Sequence, residues 1–102
     1  MALELHGIKI PRSELERFCT QNHIRKLALF GSILTDRFRK DSDVDVLVEF
    51  DPNHIPGYDL VGMEQEFSRL LGRRVDLRTA EDLSRYFRES VVASAAVQYE
   101  RD

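Results

Sequence analysis

The segment that most constrains the fold runs from Leu27 to Phe50, LALFGSILTDRFRKDSDVDVLVEF. A four-residue apolar run, Leu27-Ala28-Leu29-Phe30, stops at Gly31-Ser32, which reads as a strand, a turn and the start of a short helix from about Ile33 to Arg39. Asp41-Ser42 ends that connection. From Asp43 the chain alternates, with Val44, Val46 and Val48 one residue out of step with Asp43 and Asp45. Side chains two apart on a strand share a face, so the valines are expected to meet a helical layer and the two aspartates to project together from the opposite side. The predicted strand is Val44–Glu49.

The two halves of this segment have opposite chemistry. The first amides of a helix lack internal partners and lie at the positive end of its dipole, so a turn at Gly31-Ser32 suits phosphate. Gly31 lets the backbone approach a ligand closely, and Ser32 adds a hydroxyl and an amide donor. Asp43 and Asp45 have Cβ atoms about 6–7 Å apart at ~3.3 Å rise per residue. Oxygen ligands at ~2.1 Å from one Mg²⁺ can close that gap when the side chains lean inward. Either half alone is commonplace, a plain turn or a solvated strand. An EF-hand loop is the rival for Asp41, Asp43 and Asp45, but Val46 stands where its glycine belongs and Pro52 where its bidentate glutamate belongs.

Elsewhere the pattern is that of one small α/β domain spanning residues 1–102, with a mixed sheet of three or four strands packed by helices and a motif core at 27–78. Residues 1–10 form a short leader with a strand at Gly7–Ile10. Pro11 suits a first helical turn, and Ser13 with Glu16 fits a capping box. Leu15, Phe18, Cys19 and Asn22 recur at helical spacing, which assigns Cys19 to the core. Residues 51–57 read as a loop, with His54 an ordinary loop histidine. A helix resumes at Asp59, with Leu60, Met63, Phe67, Leu70 and Leu71 on one stripe and Gly72 as its stop. Arg73 to Arg78 reads as a strand with Asp76 on the face opposite Val75 and Leu77. Thr79 caps a turn through Leu83, and residues 84–97 read as helical.

A net charge of −3 argues against a general nucleic-acid binder, which carries a basic excess. Basic residues do cluster at Arg37, Arg39, Lys40, Arg73 and Arg74, as solvated faces or as contacts to a triphosphate or an acidic partner. No apolar run approaches the ~20 residues of a membrane span, and no signal pattern opens the chain, so the expected location is cytoplasmic.

The spacing Gly31-Ser32, ten residues, Asp43-Val44-Asp45 resembles the G-S-x10-D-x-D signature of the DNA polymerase beta nucleotidyltransferase superfamily. It is most similar to the minimal nucleotidyltransferase (MNT) domains that pair with HEPN toxins. The resemblance extends from about Leu15 to Glu100 and includes Arg74-Val75-Asp76-Leu77 and the closing Tyr99-Glu100-Arg101. It implies the minimal polymerase-beta-like fold, with Asp76 as third carboxylate beside Asp43 and Asp45. It further implies ATP as substrate and two Mg²⁺ ions held by Asp43, Asp45 and Asp76. The activity implied is transfer of AMP to a tyrosine of a cognate HEPN ribonuclease toxin, in an oligomeric complex with it and without direct contact to nucleic acid or membrane. The match departs at Thr35-Asp36, where the family commonly has Arg-Gly. A cation near the triphosphate is lost there and an anion gained, with Arg37 or Arg39 as replacement cations. Three readings stay open: an adenylyltransferase antitoxin, an antitoxin that neutralises by binding alone, and a nucleotidyltransferase with an RNA or small-molecule acceptor.

Overall fold

Strand pairing gathers the two halves of the Leu27–Phe50 segment into the middle of one sheet. The computed structural model describes residues 3–53, 60–86 and 88–101. In chain order the elements are β1 (Leu3–Leu5), β2 (Ile8–Ile10), α1 (Arg12–Gln21), β3 (Ile24–Phe30), a 3₁₀ turn over Gly31–Leu34 and β4 (Val44–Phe50). Then follow α2 (Leu60–Leu71), β5 (Val75–Arg78), a second 3₁₀ turn over Ala80–Asp82, α3 (Arg88–Ser94) and β6 (Ala96–Glu100). The sheet order is β5-β4-β3-β6, with β4 parallel to β5 and the other pairs antiparallel. The expected α/β fold, a mixed sheet of three or four strands packed by helices, takes the four-stranded form.

One face of the sheet carries the core. Leu27 lies opposite Val48, Leu29 opposite Val46, and Val44 and Val46 opposite Val75 and Leu77. All are buried, as are Leu15, Phe18 and Cys19 of α1 and Met63, Phe67 and Leu71 of α2. The two helices meet through stacked Phe18 and Phe67 rings, 4.7 Å between centroids. Burial pushes the Cys19 thiol up to about 12, which suits an inert core residue. Gly72 ends α2 in the left-handed conformation at φ +70°, as its place after the stripe predicts.

Four expectations change at the local level. The leader holds a whole hairpin and not one strand: β1 pairs antiparallel with β2 across His6-Gly7, both at positive φ, and Ile8 and Ile10 enter the core. No capping box forms at Ser13; Pro11 caps α1, and Glu16 accepts from Arg12 Nε at 2.9 Å instead. The predicted helix from Ile33 to Arg39 is only the 3₁₀ turn, stopped by Thr35. The Thr35 hydroxyl donates to the Ser32 carbonyl (2.8 Å) and accepts from the Arg37 amide (3.1 Å), so the side chain takes up groups that helical continuation would use. Among the described residues of the predicted helix 84–97, only Arg88–Ser94 is helical. Ala96–Glu100 instead pairs with the free edge of β3, because that edge has unpaired amides and carbonyls to satisfy and Tyr99 gains a buried place opposite Leu27. Residues 54–57 of the predicted loop, including His54, and Asp59 lie outside the described residues.

Candidate active site

The opposite sheet face carries the acids. Asp45 lies directly beside Asp76 in the parallel β4–β5 register, and Phe30 lies opposite Asp45 on β3. Asp43 precedes β4 by one residue and stands on the same side by strand alternation. Asp43, Asp45 and Asp76 are all half-buried. Asp45 titrates above the ordinary carboxylate range, first through desolvation and then through repulsion from Asp76 and Asp43, against a smaller opposing pull from Arg78. Three acids gathered on one face form a pocket of negative potential suited to hard cations.

Gly31 is fitted to this cluster. Its φ of +80° is left-handed, and a Cβ at this position would overlap the Asp45 carboxylate. The glycine therefore serves both the bend and the close approach of an acid to the bend. Ser32 follows, half-buried, with its carbonyl closing the 3₁₀ turn through the Thr35 amide at 2.9 Å. Sequence reasoning places Gly31, Ser32, Asp43, Asp45 and Asp76 near one another, and the sheet register brings them to one end of one face.

Several supporting residues lack a sequence signature. β5 is an edge strand, and α2 satisfies its outward amides: Val75 N–H donates to Ser68 Oγ (3.0 Å) and Leu77 N–H to Glu64 Oε2 (2.9 Å). Asp76 sits between those two anchors. The only trace in the sequence is that Glu64 and Ser68 are four apart beside the apolar stripe. His6 reaches from the hairpin turn to the Ile33 carbonyl at 2.8 Å, tying the glycine turn to the hairpin. Arg73 donates to the carbonyls of Arg39 and Ser42, both at 2.8 Å, and stacks on Phe38 at 4.6 Å. Arg73 is thus a brace for the loop that leads into Asp43, while Arg74 is exposed with a loose 3.8 Å contact to Asp43.

Asp76 is gripped by Arg78, Nε to Oδ1 at 3.0 Å and Nη2 to Oδ2 at 3.2 Å. Among the described residues no three acid, imidazole or thiol groups converge tightly enough to cage an ion as the side chains stand. The donor set nonetheless fits Mg²⁺: hard oxygens from adjacent strands, on one face, with mutual repulsion that a cation relieves. Along the same face, past Leu47, opens an apolar cleft of about 520 Å³ lined by Ala28, Leu47, Phe50, Ala80, Val92 and Val97. Val92 and Val97 leave 46% and 45% of their surfaces in water, more than a closed core permits.

Comparison with known proteins agrees with this geometry. Residues 12–98 match the nucleotidyltransferase domain family. A Methanocaldococcus jannaschii protein assigned as a protein adenylyltransferase is 31% identical over 70 residues, covering 67% of this chain and 70% of its own. The protein adenylyltransferase MntA of Thermococcus cleftensis is 40% identical over 55 residues, 53% of this chain and 54% of that protein. Among solved structures, one assigned as a minimal nucleotidyltransferase superposes with a TM-score of 0.67 at 30% identity, covering 82% of this chain and 85% of the other. An MntA–HpeT toxin–antitoxin structure shares the fold at a TM-score of 0.69 and 16% identity, over 91% of this chain and 75% of that one. With the match spanning both the glycine turn and all three acids, the chain belongs to the nucleotidyltransferase domain family.

Proposed function

We propose that this nucleotidyltransferase is an antitoxin that moves AMP from ATP onto a tyrosine of a HEPN-type ribonuclease toxin. The observation that carries the reading is the acid cluster on an open sheet face, pressed against a glycine turn at one end and continuous with an apolar cleft at the other. Gly31 and Ser32 hold the β- and γ-phosphates at the turn. Asp43, Asp45 and Asp76 are the residues that would hold divalent ions, which supply neutralisation of the charge that develops on the polyphosphate. Asp76, on the edge strand β5, takes the acceptor side and the hydroxyl proton. The tyrosine oxygen bonds to the α-phosphorus, the bond from that phosphorus to the bridging oxygen breaks, and the β- and γ-phosphates leave as pyrophosphate.

The acceptor being a protein is supported by the cleft and by what the relatives are named. The cleft's apolar lining suits a polypeptide segment better than a polyanion. Three relatives carry the name protein adenylyltransferase, and solved neighbours of the same fold include toxin–antitoxin structures, one of them with AMP-PNP.

The binding-only reading draws on Thr35, which closes the turn where the resemblance implies a cation. Labelled ATP, Mg²⁺ and the purified toxin separate the two. Label on the toxin that disappears with Asp45→Asn supports transfer. Toxin inhibition without label supports neutralisation by binding.

A further inference from the structure

Asp76 is the acid whose two oxygens are both engaged. Arg78, two residues on along β5 and therefore on the same face, meets them with two parallel donors at 3.0 and 3.2 Å. Asp43 differs: its Arg74 contact is single, 3.8 Å long, and made by a side chain 82% exposed. A divalent ion needs carboxylate oxygens at about 2.1 Å, and the guanidinium occupies one lone pair on each oxygen of Asp76 and offsets the charge that would draw the ion. The cation also stands near enough to Asp45 to offset part of the charge there.

We infer that Arg78 is an internal competitor for the divalent ion, holding Asp76 in a paired geometry that opposes metal loading. This rests on the reading of Asp43, Asp45 and Asp76 as the ion-holding set. It accounts for the failure of three acids on one face to converge, because one is turned to an arginine. Arg78 is a positioning residue that acts through Asp76. Its side chain is 46% exposed and that of Asp76 35%, so the pair is partly screened by water and sets the affinity for metal without abolishing it.

The test is equilibrium Mn²⁺ binding to the purified chain, read as the loss of the free-ion electron paramagnetic resonance signal at constant ionic strength. Arg78→Leu is expected to bind Mn²⁺ about three- to tenfold more tightly than the wild type. Arg78→Lys, which keeps the charge but cannot fork, should fall between them. Asp76→Asn should weaken binding, and adding Arg78→Leu to it should bring no gain, since the competitor then has nothing to hold. An equal gain in the Asp76→Asn background would overturn the inference in favour of net charge alone. Wild-type affinity in Arg78→Leu, with binding lost in Asp76→Asn, would sink the competitor and leave the acid site standing. Unchanged binding in both Asp45→Asn and Asp76→Asn would remove the site and the competitor together.

Discussion

Gly31 and Asp45 form one unit at the level of single residues. The glycine supplies a backbone conformation that side chains resist, and its missing Cβ is the space in which the Asp45 carboxylate rests. Gly31→Ala should therefore cost about 1–3 kcal/mol from backbone strain, with a further cost from displacing Asp45. A lowered melting temperature together with lost binding of a non-hydrolysable ATP analogue is the expected result, and wild-type values for both would contradict it. Asp45 carries a second consequence. An acid whose folded pKa lies above its unfolded value binds its proton more tightly in the fold. Its contribution to stability is most favourable in acid and declines as pH rises from the ordinary carboxylate range through the raised value. Asp45→Asn should thus melt above the wild type at neutral pH while losing metal-dependent nucleotide binding, with the difference in melting shrinking toward low pH. Stability that fell at neutral pH would contradict this. Both residues are legible in the sequence as parts of a motif, but their contact is not, because Gly31 and Asp45 are joined only by the pairing of Phe30 with Asp45 across two strands.

At the level of elements, the edge strand β5 shows how a short segment is held without a partner on its outer side. Its amides at Val75 and Leu77 bond to Ser68 and Glu64 of α2, and Asp76 is fixed between them. Glu64→Ala should cost about 1–3 kcal/mol through the unpaired Leu77 amide and should weaken Mn²⁺ binding through loss of order at Asp76. Chemical denaturation and metal titration test the two effects, and a variant that loses neither would show that β5 is held by β4 alone. The helix α2 was readable as a stripe of Met63, Phe67 and Leu71, since burial imposes helical spacing. The roles of its polar flank were not, because a hydrogen bond to another element leaves no periodicity. Thr35 is a comparable case. Its hydroxyl ends the turn after Leu34, which the apolar and charged residues around it do not disclose.

For the molecule as a whole, the sheet separates stability from chemistry. One face builds the core with α1 and α2, and the other presents the acids and the cleft. Phe67→Ala, at the stacked contact between the helices, should cost about 3–5 kcal/mol, a large share of what a domain of this size possesses. If unfolding measured by circular dichroism moved by less than 1 kcal/mol, roughly the value for a peripheral side chain, the core would have to be centred elsewhere. The sequence by itself determined which residues face the core and which carry acid, since alternation and helical spacing are local consequences of backbone geometry. It also determined the glycine bend and the order in which turn and acids occur. Only the tertiary structure decided that Ala96–Glu100 joins the sheet as a strand, that the leader closes as a hairpin on the turn through His6, and that Arg78 grips Asp76. Those outcomes depend on which unpaired amides, carbonyls and charges the rest of the chain leaves within reach, and that reach is set by three-dimensional packing and not by neighbours along the chain.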